Sequence, residues 1–199
     1  VMDGLDGRVA RMTNTQSDFG AEYDSLSDMV SFGVAPALVM YVWALKSMGK
    51  LGWIAAFIYC VSAALRLARF NTNVGSADKR YFQGLPSPAA ATLLAGLVWV
   101  CFDNDLPGDL VFYPWLKMKW IAWTITLFAG ISMVSDLRFY SGKNINLKNS
   151  VPFVVILLIV LAFVLVSYSP PEVLFFVALI YGLSGYVMWI MQRLKKKAV

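Results

Sequence analysis

Six apolar stretches joined by short polar segments leave this chain one solvent to fold in. They fall near residues 29–45, 51–70, 87–102, 119–135, 151–168 and 172–191. A helix needs about 20 apolar residues to cross the hydrocarbon core of a bilayer. Only helices and closed barrels can satisfy their backbone polar groups there. Composition agrees: the chain is 59% hydrophobic and only 15% charged, too few charges to clothe a water-soluble surface. The sequence therefore predicts an all-α, polytopic transmembrane helix bundle with six visible spans, forming one integral-membrane domain over residues 1–199.

Details of the spans fit that reading. The third is short for a full crossing and is expected to run on through Pro86 or to tilt against its neighbours. Pro36 lies inside the first span and is expected to kink it, with Gly33 nearby allowing close packing. Trp53, Trp115, Trp120 and Tyr168 stand at span ends, as interfacial anchors do. Cys60 and Cys101 lie in apolar runs and read as small buried hydrophobes. The net charge of +5 is spread through the loops that flank the spans, which argues against a nucleic-acid partner.

Loop charge also sets the orientation. With residues 3–28 on one side and the spans alternating, that side holds Arg8, Arg11, Lys79, Arg80, Arg138, Lys143, Lys148, Arg193, Lys195, Lys196 and Lys197. The other side holds Lys46, Lys50, Lys117 and Lys119. Eleven against four places residues 3–28 in the cytoplasm, beneath the inner membrane. The Arg193–Lys197 run reads first as a positive-inside stop.

Those first residues carry the chemistry. Asp3 and Asp6 stand three apart, and Asp24 and Asp28 four apart. Residues at these spacings share a helix face, so each pair can aim both carboxylates at one point. Four converging carboxylates suit hard divalent cations, and two are expected here: Mg2+ or Mn2+, with Ca2+ as another possible occupant. Any single aspartate is as well explained as a cap or a surface charge. Four at this spacing beside membrane spans are better explained by function, because ionisable groups near lipid are costly. The chain has no histidine, so acid–base work falls on carboxylates. Gly7 and Gly20 leave space for a ligand against the backbone, and Arg11 offers a planar fork for phosphate oxygens. Together these groups point to phosphoryl transfer.

The pattern D-x-x-D-G-x-x-A-R, eight residues, then G-x-x-x-D-x-x-x-D over residues 3–28 resembles the signature of the CDP-alcohol phosphotransferases at every fixed position. Within that family, Phe32–Ala37, Arg66–Asn71 and Phe82–Pro88 are similar to stretches of the phosphatidylserine synthases. The resemblance implies transfer of a phosphatidyl group from CDP-diacylglycerol to L-serine, in contact with membrane lipids, by a homodimer. It implies Asp3, Asp6, Asp24 and Asp28 as metal ligands, with Asp28 also the general base. It implies Gly7, Arg11, Ser17 and Gly20 around the CDP moiety. Members of the family carry membrane helices before the motif, so further helices upstream of Val1 are expected.

Arg66 and Arg69 sit within an otherwise apolar run. They either snorkel to lipid phosphates or turn inward with Asn71 to hold an anion such as an acceptor's carboxylate, and the resemblance favours the second. The Phe82–Pro88 stretch reads as a rigid loop, residues 136–150 as a connector and the last two spans as scaffold. Two alternatives stand beside the serine reading. One is the same reaction on glycerol phosphate or inositol phosphate; the other is a divalent-cation transporter using intramembrane aspartates.

Overall fold

The computed structural model describes residues 18–72, 81–113, 116–141 and 153–197. The aspartate-bearing helix and the first span are one rod. Helix α1 (Asp18–Asp28) passes through a π-helical segment, Met29–Val34, into α2 (Ala35–Trp43). Within the described residues this rod is helical from Asp18 onward. A short 3-10 turn, Leu45–Met48, leads to α3 (Lys50–Thr72). After β1 (Tyr81–Gln83) comes α4 (Ser87–Asp103), and after β2 (Val111–Tyr113) and β3 (Leu116–Lys117) comes α5 (Met118–Val134). Strand β4 (Arg138–Tyr140), α6 (Phe153–Tyr168) and α7 (Pro170–Lys197) complete the order. All six expected spans are helical. Glu22–Trp43, Lys50–Thr72 and Pro170–Leu194 are long and apolar enough to cross a membrane; α4, α5 and the apolar part of α6 are shorter. The protein is an integral membrane protein, a helix bundle with two small antiparallel ribbons at its ends.

The π-helical segment has a local cause. Pro36 has no N–H to donate to the carbonyl of Phe32, one helical turn back. The backbone widens ahead of it, and Ala35 donates to Val30 instead. Phe32 recovers a partner from another helix: the Tyr59 hydroxyl donates to its carbonyl oxygen at 2.9 Å. Ahead of Pro36, where a kink was expected, the structure has a π-helical segment held by a cross-helix hydrogen bond.

Small residues let the helices close on one another, as they must where lipid supplies no hydrophobic drive between spans. Helix α3 packs on α5; the buried residues include Ala55, Tyr59, Ser62 and Ala63 on the one and Ala122, Thr126, Ala129 and Met133 on the other. A Cβ on Gly130 would stand 3.2 Å from the Tyr59 Cα, so the two backbones are near contact there. Helix α4 packs on α7 in the same way, with Gly96 against the backbone of Phe175. Helix α6 packs mainly on α7 and turns most of its described apolar side chains outward.

Two segments expected to be irregular are partly strand. Strand β1 pairs with β4 in the register Tyr81–Tyr140, Phe82–Phe139 and Gln83–Arg138. Neither strand shows an apolar–polar alternation long enough to read from sequence. The third span does not extend through Pro86, which precedes the first residue of α4.

Candidate active site

Gly20, Asp24 and Asp28 recur at intervals of four along α1 and so form one stripe. Asp24 is exposed; Asp28, where the rod enters the bundle, is partly enclosed. Asp3, Asp6, Gly7, Arg11 and Ser17 lie outside the described residues. Among the described residues no group of three or more Asp, Glu, His or Cys side chains comes together. The Asp24–Asp28 pair is the half of the expected cage that the structure describes. Its chemistry fits a hard divalent cation: two carboxylates one turn apart, at the water end of a membrane helix, with no thiolate or imidazole beside them.

The cation facing this stripe comes from α3. The buried stripe of that helix runs Ala55, Tyr59, Ser62, Ala63, and the next position in its period is Arg66. Arg66 therefore points into the bundle. Its Nη1 donates to the Ser87 hydroxyl at 2.7 Å, and its Nε is buried without a partner. The guanidinium lies within electrostatic reach of Asp28 and of Tyr181. Arg69 takes a different direction: it pairs with Asp136 at 3.1 Å, and the same carboxylate oxygen accepts from Gln83 Nε2 at 3.1 Å. Asn71 Nδ2 donates to the Ser25 hydroxyl at 3.0 Å, tying the end of α3 to the helix that carries the aspartates. The structure thus brings Asp28 and Arg66 together and places Arg69 and Asn71 on ties at the same end of the bundle.

Ser87 is held in place by the loop before it. Gly84 donates to the Leu137 carbonyl and Leu85 to the Ser132 carbonyl, both at 2.9 Å. Gly84 has φ +77°, and a Cβ there would collide with the Met133 carbonyl oxygen, so glycine alone fits. The loop is pressed onto the end of α5, α4 starts at a fixed point, and Ser87 ends up 1% exposed beneath Arg66.

The sequence reading missed one contributor. The last two spans were assigned scaffold roles, yet α7 sends Tyr181 to the surroundings of Arg66. The Tyr181 hydroxyl donates to the Tyr140 carbonyl at 3.1 Å. A tyrosine in mid-span rather than at the lipid–water boundary is the one trace of this in the sequence. An open hollow lined by Trp43, Lys46, Gly108 and Asp109 lies at the other end of the bundle, away from the motif.

Known proteins resemble this chain over most of its length. Residues 1–132 match a family model described as CDP-alcohol phosphatidyltransferase. A CDP-diacylglycerol–serine O-phosphatidyltransferase of Helicobacter pylori strain J99 is 37% identical over 198 residues, covering 98% of this chain and 78% of its own. The protein of the same name from Methanocaldococcus jannaschii is 36% identical over 190 residues, covering 96% and 80%. That of Saccharomyces cerevisiae is 40% identical over 114 residues, 51% of this chain and 41% of its own.

Proposed function

This chain belongs to the CDP-alcohol phosphatidyltransferase family, and from that membership we propose that it transfers the phosphatidyl group of CDP-diacylglycerol to L-serine, yielding phosphatidylserine and CMP. The membership sets aside the cation-transporter alternative. The observation that carries the serine reading is Arg66: a guanidinium with a buried, unspent N–H, fixed by Ser87 within electrostatic reach of Asp28. An acceptor whose α-carboxylate lies on that fork has its hydroxyl directed towards the aspartate stripe.

In this mechanism Asp28 takes the proton of the serine hydroxyl as the oxygen bonds to the phosphatidyl phosphorus. The bond from that phosphorus to the bridging oxygen breaks, and CMP leaves with the electron pair. Gly7, Arg11, Ser17 and Gly20 hold the CDP portion, Arg11 on a phosphate. Asp3, Asp6, Asp24 and Asp28 would hold two divalent cations, Mg2+ or Mn2+ with Ca2+ as another occupant, which would supply neutralisation of the diphosphate and of the leaving phosphate. Residues 1–199 work as one catalytic domain, with the site open to the cytoplasm beneath the inner membrane, where both substrates are supplied. The outward apolar surface of α6 faces lipid or a second copy in a homodimer.

The rival acceptors, glycerol phosphate and inositol phosphate, carry a phosphate dianion and call for several inward cations. Of the two arginines on α3, Arg69 is already paired with Asp136, which leaves Arg66 and supports an acceptor with a single carboxylate. Purified protein with CDP-diacylglycerol and a panel of alcohols, scored by CMP release, tests this. Release is expected with L-serine, to be lost on chelation and to return with Mg2+ or Mn2+. Equal release with a phosphorylated alcohol overturns the serine reading.

A further inference from the structure

The proposed carboxylate fork accounts for one charge of an amino-acid acceptor and leaves the other, the ammonium, without a partner. Resting on the serine reading, we infer that Tyr181 is a specificity residue whose hydroxyl oxygen accepts a hydrogen bond from the ammonium group of the acceptor.

Three observations converge on this oxygen. Its position is fixed: the hydroxyl donates to the Tyr140 carbonyl at 3.1 Å, and the ring packs on Phe139 with centroids 5.7 Å apart. Phe139 is itself fully buried, with its ring against Gly185 of the same helix. Its hydrogen-bonding polarity is also fixed, because a phenol has one O–H and this one is spent on a carbonyl. What remains on the oxygen is lone-pair density, which accepts and cannot donate. Finally, it lies at the same end of the bundle as the proposed fork: Tyr181 and Arg66 interact electrostatically, but among the described residues no hydrogen bond joins them.

Arg66 thus offers an unspent guanidinium N–H and Tyr181 an acceptor oxygen. That arrangement complements a small zwitterion, with its carboxylate on Arg66 and its ammonium on Tyr181. It is poorly matched to a polyol phosphate, which has no cationic end for the tyrosine. The competing view is that Tyr181 merely tethers α7 to the β1–β4 ribbon.

Steady-state kinetics of the purified protein in mixed micelles separate these views. In Tyr181→Phe the KM for L-serine is expected to rise about tenfold, the scale of one charge-assisted hydrogen bond. The KM for CDP-diacylglycerol and kcat stay within about twofold. 3-Hydroxypropionate, which is serine without its ammonium, inhibits wild type and variant with the same constant. A tether alone would move both substrates together, so parallel rises in the two KM values overturn the inference, as does an unchanged serine KM. These failures differ from failure of the serine reading, which shows in the wild type as no CMP release with serine.

Discussion

Asp28 and Arg66 make opposite demands on their surroundings, and the fold meets both at one helix end. Asp28 must stay ionised and reach water-borne substrate, and it sits where α1 passes from solvent into the bundle. Arg66 must be dry enough to bind tightly, and it continues the buried stripe of α3. Replacing Asp28 with Asn keeps the shape and removes the base. CMP release should then fall roughly 10²–10⁴-fold while the protein stays folded; near-normal turnover would remove Asp28 from the role of base. Arg66→Lys keeps the charge and loses the fork, so the serine KM should rise about tenfold or more. By contrast, Asp136→Asn disturbs a pair whose partners are 33% and 79% exposed. It should shift thermal stability in detergent by less than about 1 kcal/mol and leave the serine KM alone. Comparable KM effects in the two variants would mean that the arginine roles are assigned wrongly. The aspartate spacing was readable in the sequence because it is local. The divergence of Arg66 from Arg69 was not, since it depends on Ser87 and Asp136, residues remote from both in the chain.

At the scale of the element, the π-helical segment is where the catalytic helix joins its membrane anchor. Pro36 removes one donor, and Tyr59 of α3 replaces it at Phe32. The junction is therefore locked to the helix that also carries Arg66. Tyr59→Phe leaves the Phe32 carbonyl without its partner in the bundle and should cost about 1–2 kcal/mol of stability. Adding Pro36→Ala returns an N–H one turn from that carbonyl, so the double variant should recover part of the loss, a coupling that thermal unfolding can measure. Strictly additive losses would mean that the proline and the tyrosine do not share the carbonyl. A disturbance of the helix at Pro36 was legible, because proline acts on its own helix. Its π form and the tyrosine that completes it were not, because they need the packing of two helices. The β1–β4 ribbon was hidden for a related reason: three-residue strands from distant segments leave no periodic trace. Tyr181 was hidden too, since an apolar span discloses neither which way a ring points nor what its hydroxyl meets.

Across the whole molecule, polar contacts gather at two ends with a wide apolar belt between. One end holds Asp28, Arg66, Arg69 with Asp136, Asn71 with Ser25, and Tyr181 with Tyr140. The other holds Asn104 beside Glu172, and Trp123 on the Leu51 carbonyl. The proposed orientation, which rests on eleven basic loop residues against four, puts the first end in the cytoplasm, and the alternation of helices fixes the side of every loop once one is known. Single cysteines in a Cys60→Ala, Cys101→Ala background make this measurable. Phe19, 79% exposed on α1, and Leu194, 62% exposed near the end of α7, belong to the cytoplasmic end. Asn104, exposed after α4, belongs to the far end. A membrane-impermeant maleimide should label Phe19→Cys and Leu194→Cys in inside-out vesicles and Asn104→Cys in right-side-out vesicles. Labelling of Phe19→Cys and Asn104→Cys from one side would require an even number of crossings between them, against the three drawn by the rod of α1 and α2, by α3 and by α4. Labelling of Phe19→Cys from the outside alone would turn the site away from its cytoplasmic substrates. Phosphatidyl transfer from CDP-diacylglycerol of the inner leaflet could not then be the reaction that this end of the bundle performs.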